Sequence, residues 1–208
     1  MSKIIRHMTS VQNLPGILQQ GGLWCDRQAD TQGLTKQGIG HEHIKKRREK
    51  KEIRVGPGGF LSDYVPFYFA HHTPMLSAIN YGNVQGYAGG QAEVIYLVTQ
   101  TDVIQSSGLD FVFTDGHAAV SITRQFIDLV DLDKIDWEMV RANYWKNTEE
   151  DGDRERRKQA EFLVHRFLPW SLIRGIAVKT FPMYKQVTTL LQGQTHLPPV
   201  RVKPDWYY

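Results

Sequence analysis

The sequence predicts a mixed α+β domain, a mixed or antiparallel β core with surrounding helices, and three observations predict it. Segments with strand character and segments with helical character do not alternate strictly, so a doubly wound parallel sheet is not expected. No GxGxxG follows a strand and no GxxxxGK(S/T) occurs, which removes two common nucleotide-cradling layouts. The chain has 208 residues, 41% of them hydrophobic, without an internal repeat or a Pro-, Gly- or Ser-rich linker. That is the size and composition of a single domain over residues 1–208. Such a chain buries roughly 70% of its unfolded surface and needs neither metal nor disulfide to fold.

The elements follow in order. Residues 4–7 read as a short strand. Asn13 stands at a helix N-cap with Pro15 just inside; Leu14, Ile17 and Leu18 share one face, and Gly21-Gly22 ends the helix. Residues 26–40 are polar, contain Gly33, Gly38 and Gly40, and read as a loop. A cationic helix over 39–51 has Ile44 as its only internal apolar anchor, so it depends on other contacts for order. Gly56-Pro57-Gly58-Gly59 is a turn, since Pro57 removes an amide from any phosphate cradle. Residues 65–70 form a buried strand, Thr73-Pro74 caps a helix through Ala78, and 93–99 is a strand by its β-branched content. A strand over 111–113 leads into the turn Thr114-Asp115-Gly116. Helices are expected over 124–130, 137–145 and 184–191, and strands over 160–164, 173–178 and 200–202.

Composition removes several function classes. Cys25 is the only cysteine, so no disulfide forms within the chain, which fits a reducing compartment. The first residues lack the apolar stretch of a signal peptide, and no apolar run approaches the ~20 residues of a membrane helix. A cytoplasmic protein without a membrane role is expected. Among eight histidines, His41-Glu42-His43 lacks the HExxH spacing and no Cys-rich set exists, so no metal is expected. A GxSxG elbow is absent too. Net charge is only +3, but cations cluster: Lys45, Lys46, Arg47, Arg48, Lys50, Lys51 and Arg54, then Arg154, Arg156, Arg157 and Lys158. Such clusters either neutralise backbone phosphates or are solvated helix faces.

Glu161 is the residue with most chemical promise. It stands where the charged stretch 151–158 gives way to Ala160-Glu161-Phe162-Leu163-Val164. On a strand it shares a face with Leu163 and His165, opposite Phe162 and Val164. A carboxylate there is costly to bury unless it is paired or working. His7 and Thr9 lie two apart at a strand end and project to one side, offering rigid groups suited to a ribose or an amide. Arg48 cannot be told from its cationic neighbours by this reasoning.

The chain resembles the DarT family, the toxin half of DarT–DarG toxin–antitoxin systems. The resemblance rests on His7-Met8-Thr9 with Asn13-Leu14, Gly16-Ile17-Leu18, Arg47-Arg48, Gly56-Pro57-Gly58-Gly59 and Asp63-Tyr64-Val65-Pro66-Phe67-Tyr68-Phe69. It continues through Pro74-Met75-Leu76, Gly89-Gly90-Gln91, Phe111-Val112-Phe113-Thr114-Asp115, Gln159-Ala160-Glu161-Phe162-Leu163-Val164 and Asp205-Trp206-Tyr207-Tyr208. These pieces run in family order over nearly the whole chain. It departs at Met8, where relatives often carry Ile, and at His71-His72, where they carry Pro-Arg.

The resemblance implies an ADP-ribosyltransferase-like fold that uses NAD⁺ as substrate, without metal, and modifies a base, thymine in the best-known branch, in single-stranded DNA. It implies catalytic roles for Arg48 and Glu161, and NAD⁺ contacts by His7, Met8, Thr9, Gly16, Trp24 and Arg48. Residues 116–157 match a substrate-facing loop, in which Tyr144 and Trp145 are candidates for base stacking and Arg154 and Arg157, with Arg47, for DNA phosphates. It also implies a cognate DarG-like antitoxin whose macrodomain removes the modification. Glu161→Ala is expected to abolish transfer and leave the fold largely intact, and Arg154→Ala or Arg157→Ala to flatten the salt dependence of DNA binding. Two alternatives stay open: transfer to guanine, RNA or protein, and a nucleic-acid-binding module whose NAD⁺ pocket no longer turns over.

Overall fold

A computed structural model describes residues 2–208, and its strands form where apolar residues alternate. In chain order the elements are β1 (Ile4–Ser10), α1 (Leu14–Gln19), β2 (Gly22–Trp24), α2 (Asp26–Thr31), α3 (Glu42–Lys50), β3 (Tyr64–Tyr68) and α4 (Pro74–Asn80). There follow β4 (Val94–Gln100), α5 (Thr101–Ser106), β5 (Phe111–Thr114), β6 (Gln125–Phe126), α6 (Trp137–Arg141) and α7 (Arg154–Lys158). The last are β7 (Glu161–His165), β8 (Phe167–Pro169), β9 (Gly175–Val178), α8 (Phe181–Leu190) and β10 (Val200–Val202).

The main sheet has the order β10-β9-β4-β1-β3-β7-β5-β6. Among the described residues only β10–β9 is parallel; the other pairs are antiparallel. A mixed, largely antiparallel sheet with surrounding helices is the α+β arrangement the sequence predicts. A small ribbon, β2–β8, packs beside it. Gly22 is needed there: a Cβ at this position would collide with the Leu168 carbonyl oxygen and the Phe167 ring.

One face of the sheet carries a continuous core, with Ile5, Val65, Phe67, Ile95, Leu97, Phe113, Phe162, Val164, Ile176 and Val178. The opposite face is divided. Met8, Leu76, Val94, Tyr96 and Ala177 form one cluster over β1, β4 and β9, and Ile53, Tyr64, Val112 and Leu163 form another over β3, β5 and β7. The gap falls between β1 and β3, which share a single paired position, Arg6 with Tyr68. Pro66 in β3 is the sequence cause. It pairs with Leu163 of β7 on one side and has no N–H to offer. The sheet therefore opens at its centre, and a cleft forms there.

Several expected elements differ. The 26–40 loop begins with α2, a six-residue helix with no buried residue, which leaves no apolar stripe to read. In place of a helix over 124–130 the chain forms β6 and then a 3-10 turn over Leu129–Lys134. Asp115 takes the Arg124 N–H at 3.0 Å and its Nε–H at 2.7 Å, drawing this segment alongside β5, where Phe126 stacks on Phe113. The helix expected over 137–145 stops at Arg141, because the buried Lys158 ammonium donates to the Val140 and Ala142 carbonyls at 2.9 and 2.6 Å. Asn13 makes no capping bond and is used elsewhere, as described below. Thr73 caps α4 as expected, accepting from the Leu76 N–H at 3.2 Å. The glycine-rich 56–59 stretch is a turn, with Gly56, Gly58 and Gly59 all at left-handed φ.

Candidate active site

The cleft opens where β1 and β3 part, and its walls come from both sides of the sheet. His7, Met8, Thr9, Gly16, Trp24 and Arg48 all line it, as do Asp26, Tyr68, Met75 and His117. Every residue given an NAD⁺ contact by resemblance therefore borders one cavity of about 190 Å³. The backbone amide ladder is missing between β1 and β3 at this level, and a side chain replaces it. His7 donates Nδ1–H to the Pro66 carbonyl at 2.8 Å. Burial lowers the His7 pKa more than this bond raises it, so the ring stays neutral at pH 7 and Nε2 is left as an acceptor.

Glu161 begins β7 and is fully buried, on the same face as Leu163 and opposite Phe162 and Val164. Its backbone N–H donates to Thr114 Oγ1 at 3.2 Å. Its Oε1 accepts from the Ala118 N–H at 2.9 Å and lies 3.3 Å from His117 Nδ1; its Oε2 meets Arg48 Nη1 at 2.8 Å. Burial alone would raise this carboxyl. The Arg48 charge, His117 and the Ala118 amide outweigh it and hold the group down at about 2. Arg48 is the inward residue of α3, 7% exposed, and answers how a helix with so poor an apolar face is anchored. Its pKa moves upward: burial opposes the charge, but Glu161 and Asp26 more than compensate, so the guanidinium stays cationic.

Unspent donors mark the cleft as built for a polar ligand. Among the described residues, Arg48 Nε and Nη2 and Trp24 Nε1 are buried without a hydrogen-bond partner. Buried donors left unpaired cost stability and call for a function. Trp24 lies against Phe167 at 4.5 Å between ring centroids, which fixes its indole at the wall. Asn13 holds the segment over the opening: its Oδ1 accepts from the Lys36 and Gln37 N–H groups at 2.9 Å, and its Nδ2 donates to the Gln37 carbonyl at 2.8 Å and to Thr9 Oγ1 at 3.0 Å. His7, Met8 and Thr9 of β1, Gly16, Trp24 and Arg48 thus face one cleft, beside a segment tied down by Asn13.

Tyr68, His117 and Asp26 were not predicted as site residues. Tyr68 pairs across the strands with Glu161 and its hydroxyl reaches only Met75 Sδ, at 3.9 Å. Burial and the Glu161 charge push that phenol up, so it stays protonated. Its register opposite Glu161 is set by the pairing of β3 with β7 and is not visible in the sequence. His117 and Asp26 carry no sequence signature.

The basic residues separate into two kinds. Arg47 is exposed beside the cleft and donates to the Ala119 carbonyl at 3.3 Å. Arg154 donates to the Tyr144 and Lys146 carbonyls at 2.8 and 3.1 Å, and its guanidinium stands 5.8 Å from the Tyr144 ring centre. Neither is matched by a carboxylate among the described ion pairs. Arg157 is committed to Asp136, Asp151 and Asp153. It shapes the loop and has no free charge, so the expected salt effect of Arg157→Ala does not follow from this geometry. Tyr144 is 60% exposed, whereas the Trp145 indole is half-buried and donates to Tyr208 Oη at 2.8 Å. Cys25 is buried and its thiol is raised by that burial, which makes it unreactive. Among the described residues no helix is long and apolar enough to cross a membrane, and no cluster of His, Cys, Asp and Glu is placed to hold a metal ion.

Comparison with known proteins agrees over the whole chain. Residues 6–208 match the family described as ssDNA thymidine ADP-ribosyltransferase, DarT. A DNA ADP-ribosyl transferase of Thermus aquaticus is 41% identical over 99% of this chain and 89% of its own. Among solved structures, Thermus sp. 2.9 DarT in complex with ADP-ribosylated ssDNA superposes with a TM-score of 0.93 at 38% identity, covering 99% of this chain and 96% of that one. The same protein in complex with NAD⁺ gives 0.89 at 37% identity, covering 99% and 98%.

Proposed function

The chain belongs to the DarT family, and from that premise we propose that it transfers ADP-ribose from NAD⁺ to thymine in single-stranded DNA, with Glu161 and Arg48 as the catalytic pair. The observation that carries this reading is the coupling of a buried carboxylate to the cleft. Glu161 is inaccessible in itself, yet Arg48 joins it to a cavity that His7, Met8, Thr9, Gly16 and Trp24 also line.

The chemistry follows from the charges. Breaking the bond from nicotinamide to the ribose C1′ leaves the electron pair on nicotinamide and positive charge on the sugar. A carboxylate held ionised beside the sugar stabilises that charge in a site of low dielectric. Glu161, held down at about 2, is ionised at any working pH. The acceptor is a ring N–H of thymine, whose nitrogen forms the new bond to C1′ and whose proton passes to water. Arg48 stays cationic and is no base; its role is to stabilise the negative charge gathering on the thymine. His7, neutral and fixed through Nδ1, offers Nε2 as an acceptor for a sugar hydroxyl or the nicotinamide amide. Single-stranded substrate spares the few kcal/mol needed to unstack a paired base. Arg47 and Arg154 are the cations available to phosphates, with Tyr144 as the exposed ring for a neighbouring base. A macrodomain antitoxin of the DarG kind is the cognate partner, acting in the cytoplasm on the same DNA adduct.

Mass spectrometry of two matched oligonucleotides incubated with NAD⁺, one with a single thymine and one with none, tests the reading. One ADP-ribose is expected on the first alone. Adducts on guanine, RNA or protein instead would favour a different transferase, and binding without any adduct would favour an inactive module. In the same system Arg47→Ala is expected to reduce the slope of log K against log salt by about 1, while Arg157→Ala leaves it unchanged. Equal effects at the two positions would undo the separation drawn between free and committed arginines.

A further inference from the structure

Arg48 is buried at the cleft, and only part of its guanidinium is engaged. Nη1 meets Glu161, while Nε and Nη2 are buried without a hydrogen-bond partner. The carboxylate facing Nε is that of Asp26, at 3.6 Å, and among the described residues Asp26 has no hydrogen-bonded partner of its own. Arg48 thus lies between two carboxylates, held firmly by one and loosely by the other. Asp26 lines the cleft with Arg48, whereas Glu161 lies behind it.

Resting on the transfer reaction above, we propose that Asp26 is the positioning residue of Arg48: it holds the guanidinium through Nε when Glu161 exchanges its contact with Arg48 for the ribose. Glu161 already accepts from Ala118 and lies against His117, so the contact open to exchange with a ligand in the cleft is the one to Arg48. A buried guanidinium released by its only partner is penalised by desolvation, which would keep it locked on Glu161. A second anion beside Nε removes that penalty and leaves the fork of Nη1 and Nη2 free to face the substrate. The planar guanidinium suits this use, since its Nε and Nη edges point to different partners.

The arrangement gives the reaction an acid limit distinct from that of Glu161. Facing Asp26 are Arg48 and Lys45 from α3, His7 from β1 and Asp30 from its own helix. The Asp26 side chain is 36% exposed, and the desolvation it does undergo raises the carboxyl above its ordinary value, with Arg48, His7 and Lys45 only partly offsetting this. As pH falls through that raised value Asp26 becomes neutral and Arg48 loses its second hold, while Glu161 is still ionised.

Asp26→Asn, which keeps the shape and removes the charge, tests this together with Asp26→Glu. With Asp26→Asn we expect kcat to fall about 10-fold or more, KM for NAD⁺ to stay within a few-fold, and the acid limb of the rate profile to vanish; Asp26→Glu should restore both rate and limb. A wild-type kcat with an unchanged profile, or a loss that Asp26→Glu does not recover, overturns the proposal. Nuclear magnetic resonance of the Arg48 Nε–Hε group in the NAD⁺-free protein decides it without turnover. A shift on Asp26→Asn that Asp26→Glu reverses supports the contact, and an unmoved resonance refutes it. Should wild type itself transfer nothing to thymine, the functional reading fails while this spectroscopic result still judges the pairing.

Discussion

Glu161→Gln lowers the rate of ADP-ribose transfer to a thymine-bearing oligonucleotide by about 10²–10³-fold or more, with NAD⁺ binding largely kept. Glutamine fills the same space, but its one amide oxygen can accept from either the Ala118 N–H or Arg48, which meet different oxygens of Glu161, and it brings no charge to the ribose cation. The alanine variant is a poorer probe than the sequence suggested. Arg48 and Glu161 are 7% and 0% exposed, and removing Glu161 leaves Arg48 with Asp26 alone and the Ala118 N–H without its acceptor. Glu161→Ala is therefore expected to lose stability, up to about 3–5 kcal/mol, and loss of activity in it would mix two causes. Thermal melting of both variants beside single-turnover transfer separates them. Glu161→Gln melting near wild type and transferring at the wild-type rate would remove the carboxylate from the mechanism.

Glu161 was legible because its signal is local. A carboxylate opening the apolar run of β7 has a face fixed by strand periodicity, and the face expected is the face observed. Seven of the strands were legible from local composition and periodicity too, whereas β2, β6 and β8 were not. What could not be read arises from distant segments. Arg157 looks like one more surface cation until Asp136, Asp151 and Asp153 converge on it. The 124–130 segment has the composition of a helix, and Asp115 makes it a strand by holding Arg124. Asn13 has the chemistry of an N-cap, yet its amide is used on residues 36 and 37. Pro66 carried a readable warning, a proline inside a strand run, and its consequence is the cleft itself. Asp26 and His117 sit in stretches whose polarity predicts loops and nothing more, and only the fold brings them to Arg48 and Glu161.

Arg48→Ala and Arg48→Lys are both expected to reduce transfer by about 10²-fold, with different consequences for stability. Lysine supplies a charge to Glu161 but, as a single ammonium, cannot hold Glu161 and Asp26 from separate edges while reaching a substrate. Alanine removes the charge that most depresses the Glu161 carboxyl, and burial then dominates and raises it. In wild type the folded value of about 2 lies below the ordinary 4.5, so the pair's contribution to stability is complete above 4.5 and is lost as pH falls from there towards 2. Arg48→Ala lacks that contribution at every pH. Its melting temperature should lie well below wild type at pH 7, and the gap should start to close above pH 4.5, as Glu161 protonates in the variant, and go on closing towards pH 2 as it protonates in the parent. Melting curves across this range measure it directly. A gap that stays constant with pH would mean that Arg48 stabilises by packing alone, and with it would go the argument that a paired, ionised Glu161 is what the cleft was assembled to present.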